Sequence, residues 1–216
     1  MTESTVSRDD LWAMIHAERA ALAEDLATLD DAAWAHPTLC GEWTVREVVA
    51  HLTAAASTGR LRWITSILGA RFNPAEHNRR RLEEHLGGSP AETLERFRAA
   101  VDNTTAASGH TPAWLGEVVV HGQDLRRPLG ISAEPDTSAV MQVATFFAAR
   151  DFTVNSKTAA KGLRLVATDS PFSNGDGPVA EGSTLALVMA MAGRSAYCDD
   201  LRGPGADILR ERCPDR

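Results

Sequence analysis

The sequence predicts a mainly α protein: a helical bundle over 1–154, followed by a small α/β domain over 155–216. Three observations predict it. Apolar residues recur at threes and fours through the first two-thirds of the chain. Capping signatures punctuate those stretches at helix-like intervals. Past residue 155 the texture changes to alternating apolar and polar residues between glycine-rich turns.

Taken in order, Leu11, Ile15, Leu22, Leu26 and Leu29 place a first helix over about 8–29, with Glu18 interrupting the stripe. Asp30-Asp31-Ala32-Ala33-Trp34 and His36-Pro37-Thr38 break that pattern. Thr44, with Glu47 three residues on, forms a capping box that starts a second helix. Val45, Val48, Val49, Leu52 and Ala56 share its apolar face, and the pattern continues to Leu68, before Gly69. Asn73-Pro74 restarts the chain, and Gly87-Gly88 ends the segment begun there. Ser89-Pro90-Ala91-Glu92 is a second capping box with proline at the first helical position. It opens a helix reaching about Ala107. Thr111-Pro112 opens another, ending near Arg127 before Pro128 and Gly130. A fifth runs from Asp136 or Thr137 to about Phe152, with Val140, Val143, Ala144 and Phe147 on one side.

Beyond it, Gly162 to Asp169 alternates and reads as a strand. Ser173 to Pro178 is a turn-rich loop, and Val179 to Gly182 a short second strand. Ser183 to Ala192 is apolar and helical. Gly203-Pro204-Gly205 is a turn, and the tail is polar.

Composition narrows the function classes. Over 216 residues, 44% hydrophobic and 24% charged content fits an ordinary globular chain with a sizeable core. A net charge of −7 disfavours non-specific binding to nucleic acid or anionic membranes. The basic run Arg79-Arg80-Arg81 lies beside Glu83 and Glu84, so a solvated, salt-bridged helix face is expected. Met1 to Val6 holds no basic segment followed by an apolar one, and no apolar run is long enough to span a membrane. A cytoplasmic protein is expected. Cys40, Cys198 and Cys213 are odd in number and lack metal-ligand spacing, so they read as packing thiols.

The chemistry concentrates in the fourth long helix. Glu117 and His121 are four residues apart, which stacks their side chains on one helix face. With Asp124 they fall within an arc of about 60° at about 100° per residue. Trp114, Val118 and Leu125 flank that arc on one side, Ala113 and Val120 on the other. Buried charged groups in such a place need a partner or a metal. A local Glu–His pair is the simpler alternative. His51, at the edge of the second helix's apolar stripe, favours the metal, because bundles build metal sites from inward polar groups on facing helices. His51, Glu117 and His121 would leave a fourth position open, as at a catalytic zinc site. Nickel, iron and manganese suit the same donors. Asp124 reads as the group that orients a ligand rather than as a ligand itself. His16, His36, His77, His85 and His110 are expected to be exposed or partly exposed.

These residues carry a resemblance. The stretch from Thr38 through Gly41-Glu42-Trp43-Thr44-Val45-Arg46 to His51-Leu52 resembles the N-terminal signature of the mycothiol-dependent maleylpyruvate isomerase family, part of the DinB-like superfamily. Glu117 to Leu125 resembles its second signature. Gly162-Leu163-Arg164-Leu165, Gly175-Asp176-Gly177-Pro178 and Ala192-Gly193-Arg194 resemble its smaller C-terminal domain. The likeness spans about 8–212. It implies a DinB-like up-and-down four-helix bundle with a divalent metal, usually zinc, held by His51, Glu117 and His121. It also implies an actinobacterial setting, and mycothiol as cosubstrate for thiol transfer or thiol-assisted isomerisation.

The expected function is therefore a metal-dependent thiol S-transferase or isomerase. A metal-activated thiolate would attack a small electrophilic substrate, in a monomer or homodimer. The alternative is a non-catalytic metal-binding regulatory or stress-response accessory protein. Arg164 and Arg194 are candidates to bind a carboxylate of substrate or thiol. No catalytic residue beyond the metal site stands out.

Overall fold

Capping chemistry sets the helix boundaries in the computed structural model, which describes residues 6–69 and 73–213, with side chains outside 74–77. Residues 1–5, on which the reading of the N-terminus rests, and the side chain of His77 lie outside the described residues. Ser7 and Asp10 form a reciprocal capping box at the start of α1 (Arg8–Ala27). The short α2 (Asp31–Trp34) occupies the expected break, with Asp30 accepting from the Ala33 N–H at 2.8 Å. The Thr44 box forms as expected: the Glu47 carboxylate accepts from the Thr44 N–H at 2.8 Å and starts α3 (Val45–Ser57).

That second helix does not run on to Leu68. Thr58 turns extended, at φ −95° and ψ 105°, and α4 (Arg60–Gly69) begins afresh. Ser57, Thr58 and Gly59 are each weaker helix formers than the alanines before them. After α5 (Pro74–His85), the box at Ser89 forms by half. Ser89 accepts from the Glu92 N–H at 3.2 Å, but the Glu92 carboxylate accepts from the Gly88 N–H at 2.6 Å instead of closing on Ser89. α6 (Pro90–Ala99) ends well short of Ala107. Val101-Asp102-Asn103-Thr104-Thr105 is a run of weak helix formers. There the buried Arg19 of α1 donates to the carbonyls of Ala100, Val101 and Asn103 at 3.4, 3.3 and 2.9 Å. It supplies partners that the end of a helix leaves missing. Burial pulls its pKa down to about 10, which keeps it charged at neutral pH.

α7 (Thr111–Arg126) follows its expected span. α1, α3, α6 and α7 pack on one another. Leu22, Leu26, Val45, Val48, Val49, Phe97 and Leu125 fill the space they share. Arg126, nearly buried, is paired with Asp25 at 2.7 Å and ties α7 to α1. α5 lies on α3, and α4 packs against α5. α4 buries no residue, and Leu61 and Leu68 are 81% and 53% exposed. Arg79 pairs with Glu83, and both Arg62 and Arg81 with Glu84, so the basic run forms the salt-bridged face expected of it.

The chain divides into two compact units, Met1–Glu134 and Pro135–Arg216. The division comes earlier than the change of texture near 155 suggests, because α8 (Thr137–Ala149) sits in the second unit. Its buried Val140, Val143, Ala144 and Phe147 belong to a helix that packs on α10 (Thr184–Met191). The unit continues with α9 (Ser156–Ala160) and a three-stranded sheet of β1 (Arg164–Ala167), β2 (Ser173–Asn174) and β3 (Val179–Gly182), in the order β2-β1-β3. β1 pairs parallel with β3, Leu165 facing Ala180, and antiparallel with β2, Val166 facing Ser173. β2 lies within the expected loop and is too short to show a period. At Gly175 (φ +74°) a Cβ would stand 2.2 Å from the Leu163 carbonyl oxygen, so only glycine fits this turn.

All eight residues of α10 are buried. A 3₁₀ turn over Ser195–Asp200 leads to α11 (Pro204–Arg212), where a turn and polar tail were expected. Pro204 at the first turn is the start signal, and buried Ala206 and Leu209 lie on the helix, which packs against β3. The unit is thus α+β, and the chain as a whole is mainly α. Buried Cys198 and Cys213 are free thiols that hydrogen-bond at 3.9 Å without forming a disulfide. No helix among the described residues is long and apolar enough to cross a membrane.

Candidate metal centre

α3 buries Val48, Val49 and Leu52, which leaves His51 at the edge of the packed face. α7 is enclosed more completely: Leu115, Val118, Val119, Val120 and Leu125 are all buried. A polar side chain on such a helix can reach solvent only through a gap, and here the gap faces His51. His51 Nε2 lies 2.7 Å from Glu117 Oε1, and His121 Nε2 lies 3.7 Å from the same oxygen. The two imidazoles meet edge to face with centroids 5.0 Å apart. All three side chains are 12–15% exposed. The structure therefore brings the three expected ligands together, with one donor atom from each inside a 4.8 Å span.

The donor set fits a divalent cation. Ligand atoms around a tetrahedral zinc stand about 3.3 Å apart, from bond lengths near 2.0–2.1 Å. The two spacings to Glu117 bracket that value. Two imidazoles and one carboxylate are donors shared by zinc and the later first-row metals.

Asp124 is fully buried, and its Oδ2 lies 3.0 Å from His121 Nδ1. A carboxylate accepts, so the Nδ1 proton is assigned to this bond, which leaves Nε2 to face Glu117 and His51. An orienting role for Asp124 would need this contact. The Asp124 carbonyl also accepts from the Leu39 N–H at 3.1 Å, so the segment before α3 is stitched to α7 beside the site. Burial disfavours protonation of His121. Hydrogen bonds to Asp124 and Cys40 and the charge of Glu117 outweigh that, pushing its pKa up to about 10. The cluster attracts positive charge, and a metal bound here would displace a proton.

Two neighbours were not singled out in the sequence. Cys40, partly buried against the bundle core, lies with His121 and Asp124 in a second group of donor atoms within 4.8 Å. Trp43 covers His51, ring centroids 5.0 Å apart. Both belong to the segment that resembles the N-terminal signature, which was the available signal. Cys40 was read there as packing, because a single thiol has no spacing to interpret.

Arg164 and Arg194 lie in the second unit. Arg164 is exposed on β1 and donates to the Gly175 carbonyl at 2.9 Å. Arg194 is buried and donates to the Ala192 carbonyl at 2.7 Å, at the end of α10. Both guanidiniums thus bind main chain within their own unit.

Comparison with known proteins bears out the resemblance. Residues 15–114 match the family model of the mycothiol maleylpyruvate isomerase N-terminal domain, a little under half of the chain. The fold matches the crystal structure of the mycothiol-dependent maleylpyruvate isomerase with a TM-score of 0.65 at 17% identity, covering 94% of this chain and 97% of that one. A mutant form of that enzyme matches at 0.63, with the same identity and coverage. No curated protein matches the chain.

Proposed function

We propose that this chain is a divalent-metal-dependent thiol S-transferase or isomerase. It would act on a small electrophile with a low-molecular-weight thiol, mycothiol by the family likeness. The observation that carries this reading is the meeting of His51, Glu117 and His121, from two separate helices, around one point. Three protein donors leave room for one more, the pattern of catalytic rather than structural zinc sites. When bound, the cation supplies the positive charge that holds a thiol as thiolate near neutral pH.

The chain's own residues prepare the place. Asp124 holds the His121 tautomer so that Nε2 stays turned to the donor cluster. Trp43 covers His51 and limits its rotation. The near-burial of all three donors keeps bulk water from competing for them. The matching reaction class is addition of the thiol across an activated C=C bond, with a proton entering the adjacent carbon. Rotation about the new single bond and loss of the same thiol and proton give the isomer; release of the adduct gives transfer.

Purified protein is expected to carry about one divalent cation per chain, because the two three-donor groups share His121. Elemental analysis checks this. Zinc is the first expectation, and nickel, iron and manganese suit the same donors. Conjugation of mycothiol, glutathione and cysteine to an unsaturated acid should depend on that metal and favour mycothiol. His121→Ala should lose the metal and the turnover together; full retention of metal in that variant would falsify the site. Metal bound without turnover of any of the three thiols would leave a non-catalytic metal-binding accessory protein as the better reading.

A further inference from the structure

The second unit holds two thiols that take no part in the donor cluster of α3 and α7. Cys198, on the 3₁₀ turn, is fully buried, and Cys213, the residue that caps α11, is 8% exposed. Their sulfurs lie 3.9 Å apart across 15 positions of chain. Other bonds hold the two segments together at this point. α11 packs on the turn. From α11 the Arg210 guanidinium donates to the Cys198 carbonyl at 3.1 Å and to the Asp199 carboxylate at 3.0 Å. The Cys213 N–H donates to the Leu209 carbonyl at 3.0 Å, which fixes the main chain at the helix end. A packing thiol needs only volume, and volume does not require two of the chain's three cysteines to meet sulfur to sulfur.

A disulfide is about 2.0 Å long, so each sulfur has to come in by about 1 Å. The surroundings favour one order of events. The hydrogen bond from Cys198 draws the Cys213 thiol below its ordinary pKa, and the charges of Arg194 and Arg210 add to this against the effect of burial. The same hydrogen bond, with burial, pushes the Cys198 thiol up. Cys213 is the sulfur that ionises first, and it also keeps the residual exposure.

We propose that Cys198 and Cys213 form a reversible oxidation site that takes a hydroperoxide as co-reactant and closes to a disulfide within the second unit. With hydrogen peroxide, the Cys213 thiolate attacks one oxygen and the O–O bond breaks. Cys213 becomes a sulfenic acid, and the other oxygen leaves as hydroxide, which takes up the proton that Cys213 released. The Cys198 sulfur then displaces the sulfenic hydroxyl, and its own proton goes to that leaving oxygen. Two thiols and one peroxide give one disulfide and two waters. Two electrons pass from the sulfurs to the peroxide, and a dithiol reductant returns them. The first unit holds only Cys40 and offers no such pair. The pair stands apart from the function proposed above, and no readout below uses turnover.

The test treats the full chain with hydrogen peroxide, unfolds it, blocks the remaining thiols with iodoacetamide and measures the intact mass. Blocked thiols should fall from three to one. Peptide mapping should join Cys198 to Cys213, and dithiothreitol should restore all three thiols. Cys198→Ala should leave a sulfenic acid at Cys213 that dimedone traps, and Cys213→Ala should trap about tenfold less at Cys198. In mixtures of oxidised and reduced dithiothreitol, the ratio of linked to free pairs should be about tenfold or more higher in buffer than in urea, since a fold that accepts the bond favours it. Absence of the Cys198–Cys213 link after oxidation, a link through Cys40 or to a second chain, or a ratio no higher in buffer than in urea overturns the proposal. These arms use the unaltered chain, so they decide the matter even where an alanine variant fails to fold.

Discussion

Val45–Ser57 and Arg60–Gly69 lie in one apolar-patterned stretch, yet α3 buries eight of its thirteen residues and α4 buries none. Both carry apolar residues at helical spacing: Val45, Val48, Val49 and Leu52 in the first, Leu61, Ile64 and Leu68 in the second. What separates them is the surface opposite. α3 is met by α5, α6 and α7, whereas the main packing of α4 is against α5. A periodic stripe thus specifies a helix, and the neighbours decide how much of it leaves water. The difference has a functional side. The enclosed half carries His51, whose imidazole must hold a fixed place, and none of the candidate site residues lies on the open half.

The largest expected contrast comes from truncating each half. Leu52→Ala should cost about 2–5 kcal/mol, the range for a buried leucine that leaves a cavity. Leu61→Ala should stay within about 0.5 kcal/mol, as for exposed positions in general. Urea unfolding of the two variants decides it, and equal losses would break the comparison. Next in size is the support for the site. Asp124→Asn removes the charged acceptor from His121 Nδ1 and should weaken metal affinity about 10–100-fold, measured by competition with a chelator. Unchanged affinity would make Asp124 a packing residue only.

The α3 cap is worth less. Thr44→Ala should cost about 1 kcal/mol by loss of the bond to the Glu47 N–H, again read by urea unfolding. The smallest effect probes the break itself. A Cβ at Gly59 would meet only the Thr105 methyl, at 3.8 Å, an ordinary contact. Gly59→Ala should therefore stabilise by about 0.4–1 kcal/mol and raise helical circular dichroism slightly. A loss of helicity there would mean that the break between α3 and α4 needs glycine.

How much of this could be read beforehand varied from place to place, for physical reasons. α3 and α8 announce themselves because a stripe and a cap agree, α7 because Pro112 sits in its first turn, and α1 by the length of its stripe. The end of α6 did not, because a tertiary partner helps set it: Arg19 reaches it from 81 positions away in sequence. The end of α3 did not, because its weak formers, Ser57, Thr58 and Gly59, sit inside an apolar pattern that runs on. β2 and α11 are too short for periodicity to register. At the site, Glu117, His121 and Asp124 were legible because one helix turn groups them. His51 was legible as an inward polar residue on a packed helix. Cys40 and Trp43 were not, since their closeness to the imidazoles depends on how the segment before α3 is tied to α7.

Arg19 has one more effect. By holding the carbonyls of Ala100, Val101 and Asn103, it fixes the post from which residues 104–110 depart. The Trp114 indole anchors that span again, at Ser108. A span tied at both ends starts α7 from a fixed place, so the helix that carries Glu117 and His121 has little slack to turn about its axis.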